Sequence, residues 1–193
     1  MKSSKKGGGI VMLVVVLGLI TFVCALLLGV VNQITAPLIE QNDANTRNMA
    51  MSEIIADAEF TEVEVPEEVS KPTDKNATAI TGVYKATKDG ADAGYCVQVN
   101  PKGFGGALTM IVGINADGTV AGAKVTAHAE TPGLGAKSQD AEWIAQYAGQ
   151  PADGSLAVTK DGGTINAITG ATITSRAVTT GVNAAAEYVA ALG

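Results

Sequence analysis

Two short segments carry side chains whose type and spacing suit chemistry. The first, Asn166-Ala167-Ile168-Thr169-Gly170-Ala171-Thr172-Ile173-Thr174-Ser175, sets five hydroxyl or amide side chains and one glycine where a helical pattern begins. Free backbone N–H groups and the positive end of the helix dipole favour an anion there, and a glycine lets the backbone approach a ligand closely. A phosphate group fits chemically. Thr and Ser are also ordinary N-caps, so a Thr-rich helix start needs no ligand, and spacing alone leaves both readings open. The second segment, His128-Ala129-Glu130-Thr131-Pro132-Gly133-Leu134-Gly135, is a rigid turn followed by glycine positions open to a ligand, with His128 and Glu130 as polar groups. As a bare pattern it is a loop. No Ser-His-Asp spacing and no set of metal ligands surrounds His128, the one histidine of the chain, so no catalytic or metal-binding residue is assigned.

The elements that must position these segments follow from periodicity. Strand patterns run over residues 82–86, 94–99, 107–114 and 120–127, and the last two are separated by Asn115-Ala116-Asp117-Gly118-Thr119, whose Asp-Gly step predicts a hairpin. A helix is expected around residues 141–148, with Trp143 and Tyr147 on one face. Another is expected from about Thr174 to Leu192, where Val178, Val182, Ala185 and Val189 form a stripe that lies on the sheet. An antiparallel sheet with segregated helices is an α+β domain. Cys96 lies on an alternating stretch and reads as a small buried hydrophobe. The other cysteine, Cys24, sits in an apolar run, so the soluble part holds no internal disulfide.

That apolar run spans residues 10–31, 22 residues without a charge, about 33 Å of helix and enough to cross a bilayer. A cleaved signal would have an apolar core of only about 7–15 residues and a small-x-small cleavage site, and neither is present. The run therefore reads as a retained anchor. Lys2, Lys5 and Lys6 precede it and the first acid is Glu40, so residues 1–9 are expected in the cytoplasm and everything after residue 31 outside it. Residues 32–79 are expected to be a stalk helix, over 37–59, and an extended acidic linker, over 62–75 with Pro66 and Pro72; residues 80–193 form the folded domain.

Composition narrows the function further. The chain is 47% hydrophobic and 17% charged, which excludes a disordered polymer. Residues 1–31 hold three of the 13 basic residues and none of the 19 acids, leaving a formal net charge of −9 on the remainder. Such a domain neither tracks nucleic-acid phosphates nor adheres to anionic lipid, and reversible contact with a protein partner suits it better.

Taken together, Glu130-Thr131-Pro132-Gly133-Leu134-Gly135 and Thr169-Gly170-Ala171-Thr172-Ile173-Thr174-Ser175 resemble the FMN-binding domain of the G subunit of Rnf-type ion-translocating electron transport complexes, and of its relative, the C subunit of the sodium-translocating NADH:quinone reductase. The resemblance covers the anchor and the domain from about Ile80 onward. It implies that a flavin transferase attaches FMN through its phosphate to the Thr172 hydroxyl, the last residue of the Thr169-Gly170-Ala171-Thr172 motif. It further implies that Glu130, Thr131, Pro132, Gly133, Leu134 and Gly135 border the flavin opposite Thr169, Gly170, Ala171 and Thr174. The family commonly has an acid three residues before the motif, where this chain has Asn166.

The function so implied is that of a membrane-anchored redox carrier, partnered by the other membrane subunits of a complex that couples electron flow between ferredoxin and NAD to Na⁺ or H⁺ movement. Apart from Cys24 the apolar run has no ionisable side chain, so ion transport falls to other subunits. Three alternatives share parts of this pattern: a component like the C subunit of the quinone reductase, an anchored FMN reductase of an extracellular acceptor, and a flavin-free solute-binding or scaffold module.

Overall fold

The computed structural model describes residues 6–71 and 78–192, so residues 1–5 and part of the expected linker lie outside the described residues. Contacts divide the chain into two units, Met1–Asn45 and Thr46–Gly193.

The described residues of the first unit are helical. Helix α1 (Lys6–Ile54) continues through Pro37 and joins the expected anchor and stalk in one element. It is long and apolar enough to cross a membrane, and the apolar side chains of its run from Val11 to Val31 are exposed: Leu28, for example, is 69% exposed. Solvent exposure of such a run is costly at about 25 cal/mol per Å² of apolar surface, which is the physical reason to assign it to lipid.

The second unit is an antiparallel meander. Strands β1 (Glu59–Val63), β2 (Ala79–Lys88), β3 (Ala91–Asn100), β4 (Thr109–Asn115) and β5 (Val120–Ala127) lie side by side in chain order. Residues alternate between the two faces, and both faces are covered. On one, Val83, Val97, Val99, Met110, Val112, Ile114 and Val125 join Val178, Val182 and Ala185 of helix α4 (Thr172–Leu192), which packs on β3 and β4. On the other, Tyr84, Ala86, Cys96 and Ile111 meet Ala50, Met51 and Ile55 from the end of α1 and the residue after it. The expected Asp117-Gly118 hairpin is present: Gly118 has φ +80°, and the Asn115 N–H donates to the Thr119 carbonyl at 2.8 Å. Helix α3 (Ala141–Ile144) runs into a 3-10 turn at Ala145–Tyr147, together filling the position of the expected 141–148 helix.

The segment expected as stalk and linker differs from that expectation. Glu59–Val63 is an edge strand paired with β2, and Glu67–Ser70 is a one-turn helix, α2. Phe60 packs with the cluster around Cys96 while Val63 packs with the cluster under α4, so this short acidic strand places one apolar residue on each face. Its charges also protect an open sheet edge from pairing with another chain.

Gly113 permits the approach of α1, since a Cβ there would overlap the Ile54 side chain. Gly113→Val is expected to lower the stability of the detergent-solubilised chain by about 1–3 kcal/mol, read from denaturant midpoints. Burial leaves Cys96 fully enclosed and pushes its thiol up to about 12. Because the thiolate is the reactive form, Cys96 is expected to resist alkylation at pH 8 in the folded chain and to react promptly once unfolded; fast labelling of native protein would refute its enclosure.

Candidate functional site

Glu130, three residues past the end of β5, is buried with 6% of its surface exposed. A buried carboxylate is unfavourable unless its oxygens are hydrogen-bonded, and both are. One accepts the Gly105 N–H at 2.9 Å; the other accepts the Thr174 hydroxyl at 2.6 Å. Gly103 and Gly135 stand against the same carboxylate, where a Cβ at either position would overlap a carboxylate oxygen. The Glu130 N–H donates to His128 Nδ1 at 3.2 Å, so this histidine serves the local turn.

Opposite Glu130, the chain turns and starts α4. The Ala171 N–H donates to the Ile168 carbonyl at 2.9 Å around Gly170, whose φ of +80° suits the third position of a type II turn. Ser175, wholly buried, closes this turn onto the helix: its hydroxyl donates to the Ala171 carbonyl at 3.0 Å and accepts the Ile168 N–H at 2.9 Å. The Ala171 carbonyl also takes the first helical bond, from the Ser175 N–H at 3.0 Å, which makes Ala171 the N-cap. Alanine has no side-chain oxygen to satisfy the first-turn N–H groups, so they remain available to an anion.

The hydroxyls of this segment thus divide by role. Thr174 and Ser175 are buried and bonded internally, whereas Thr172 is half-buried and its Oγ1 accepts the Lys160 Nζ at 2.9 Å. Lys160 lies on a 3-10 turn, Thr159–Asp161, that is tied to α4 by a two-point contact: Arg176 Nε and Nη2 donate to Asp161 Oδ2 and Oδ1 at 2.7 and 2.6 Å. Arg176 holds the Asp161 carboxyl below the usual carboxylate range, chiefly through this hydrogen bonding.

These walls enclose a cavity of about 320 Å³ lined by Phe104, Glu130, Thr131, Leu134, Gly135, Gly170, Ala171, Thr172, Ile173 and Thr174. The two segments singled out in the sequence therefore meet, though they lie some forty residues apart in the chain. Pro132, Gly133 and Thr169 do not line it. Pro132 and Gly133 occupy an exposed turn closed by the Leu134 N–H to the Thr131 carbonyl at 3.1 Å, with Gly133 at φ +77°. Asn166 sits elsewhere: its carbonyl accepts Trp143 Nε1 at 2.7 Å and its N–H donates to Gln146 Oε1 at 2.7 Å.

Two lining residues were not anticipated. Phe104 is 71% exposed at the tip of the β3–β4 connection, and Ile173 is 51% exposed on the first turn of α4. The available signal was the run Gly103-Phe104-Gly105-Gly106, where glycines flank an aromatic that cannot belong to a core strand. Among the described residues, no group of three His, Cys, Asp or Glu side chains is placed to hold a metal ion.

Residues 103–187 match the model of the FMN-binding domain, and residues 9–54 match that of the RnfG N-terminal region. The chain is 37% identical over 181 residues to the G subunit of the Na⁺-translocating ferredoxin:NAD⁺ oxidoreductase complex of Acetobacterium woodii, an alignment covering 86% of this chain and 87% of that one. It is 34% identical over 171 residues to the G subunit of the proton-translocating ferredoxin:NAD⁺ oxidoreductase complex of Clostridium ljungdahlii, covering 87% and 85%. The crystal structure of the C subunit of Na⁺-translocating NADH-quinone reductase from Parabacteroides distasonis aligns over 56% of this chain and 60% of that one, with 29% identity and a TM-score of 0.48. By its similarity to full-length relatives and its two matched regions, the chain belongs to the G-subunit family of ion-translocating oxidoreductase complexes and contains an FMN-binding domain.

Proposed function

We propose that this chain is a membrane-anchored electron carrier of a ferredoxin:NAD⁺ oxidoreductase complex, and that it holds FMN covalently through a phosphoester to Thr172. The observation that carries this reading is the position of the Thr172 hydroxyl. It is the half-buried hydroxyl at the wall of the cavity, on the first residue of a helix whose N-cap leaves its N–H groups unpaired.

The residues present fit the group. First-turn N–H groups of α4 suit a phosphate. The cavity, about 320 Å³, lies at the lower end of the range for ligand pockets, about 300–1,000 Å³, which suits part of a flavin nucleotide and leaves the remainder accessible to a redox partner. Phe104, Leu134 and Ile173 would give the ring apolar contact, while Glu130 and Thr174 hold the cavity walls at fixed separation. When bound, FMN supplies the electron-transfer chemistry, and the chain supplies position and electrostatics.

An alcohol and a phosphate monoester do not condense spontaneously in water, so attachment requires an activated donor such as a flavin dinucleotide. The Thr172 oxygen attacks the phosphorus on the flavin side, the pyrophosphate P–O bond breaks, a nucleoside monophosphate leaves, and the hydroxyl proton passes to a base of the flavin transferase. Covalent attachment makes retention independent of affinity, which suits a domain on the extracytoplasmic side of the membrane.

In this reading residues 10–31 form the anchor, residues 1–9 face the cytoplasm, and the domain meets the other membrane subunits from outside. The span carries no ionisable group other than Cys24, so the ion path belongs to those subunits. The coupling ion, Na⁺ or H⁺, would likewise be set there: both occur in the names of relatives with similar identity to this chain.

Trypsin cleavage after Lys160 and Arg176 isolates Thr172 in one peptide. From chain produced beside a working flavin transferase, mass spectrometry of this peptide is expected to show one added FMN moiety, absent from Thr172→Ala. An unmodified peptide from such chain would overturn the assignment.

A further inference from the structure

Resting on the reading of Thr172 as the attachment point, we propose that Lys160 is a positioning residue for flavinylation: it orients the Thr172 hydroxyl and matches the charge of the phosphoryl group that arrives there.

The ammonium donates to Thr172 Oγ1 at 2.9 Å. Lys71, Lys85, Lys88 and Lys124 each face a carboxylate, whereas Lys160 faces this hydroxyl. A solvent-exposed lysine usually gains little from one contact, because its long stem loses rotamer freedom in making it. Here the backbone beneath it is fixed from three directions. Val158 and Ile165, both buried, anchor the two ends of the loop, and the Thr159 N–H donates to the Ile165 carbonyl at 2.8 Å. Gly162, at φ +87°, reverses the chain, and Gly163 lies so close to the Ala157 carbonyl that a Cβ would overlap it. Finally, the two-point contact between Asp161 and Arg176 ties the turn to the helix that carries Thr172.

The chemistry follows from where the cation sits. Donation by the ammonium occupies one lone pair of Oγ1 and leaves the other to attack phosphorus, with the hydroxyl proton free to depart. As the Oγ1–P bond forms and the pyrophosphate bond breaks, negative charge gathers on the phosphoryl oxygens beside a fixed cation. The phosphodiester that results carries one negative charge and keeps the same neighbour. Lys160 touches the acceptor residue and works through it.

The test is a time course of flavinylation of the full-length, detergent-solubilised chain with flavin transferase and FAD, followed by intact mass. Lys160→Gln is expected to slow the initial rate about tenfold, the loss typical of one charge-assisted hydrogen bond. Lys160→Arg should recover most of that rate, and the thermal midpoints of both variants should match wild type. Asp161→Asn, which weakens the contact with Arg176, should slow attachment to a smaller extent. Equal rates for wild type and Lys160→Gln would overturn this inference while leaving attachment at Thr172 intact, and so would an arginine variant as slow as the glutamine one. A wild-type chain that takes up no FMN would overturn both readings together.

Discussion

The carboxylate of Glu130 holds the site together. It draws the tip of the β3–β4 connection, the loop after β5 and the first turn of α4 to one point, and each of these segments contributes to the cavity. Loss of the carboxylate would leave the buried Thr174 hydroxyl without this partner, at about 1–3 kcal/mol, whereas the exposed Gly105 N–H would turn to water. The glycines at 103 and 135 follow from this one residue, because side chains there would displace its oxygens. An acid in this loop thus acts as a tie between distant segments, with no need of a proton-transfer role.

Around that tie, the sheet serves as a two-sided platform. Val97 and Cys96 point to opposite faces of β3, as do Val112 and Ile111 on β4, and each face receives a helix. The cost of enclosing a thiol is small, and burial pushes the Cys96 thiol up, away from the reactive thiolate form.

Much of this was legible in the sequence because the relevant signals are local. The uncharged run at 10–31, the Asp117-Gly118 turn, and the stripe of Val178, Val182 and Ala185 each report one element through its own composition and period. The meeting of Glu130 with the start of α4 was accessible only through family resemblance, since no spacing rule relates residues so far apart. Strand β1 was hidden because its five residues include two acids and only two apolar side chains, one for each face, so neither alternation nor hydrophobicity marks it. Phe104 was hidden by its exposure, and Lys160 by its distance of twelve residues from Thr172 across a loop without periodicity. A lysine in such a loop acquires meaning only from where the Asp161–Arg176 pair puts it.

Ala171 at the N-cap of α4 has a further consequence. Replacing a Ser, Thr, Asp or Asn cap by alanine typically costs about 1 kcal/mol, so the helix that supports the cavity starts with a deficit. If the phosphate is joined to Thr172 as proposed, it supplies oxygens to the same N–H groups and becomes the cap that the sequence omits. The modified chain would then be the more stable one, by an amount on the order of one helix cap, about 1 kcal/mol.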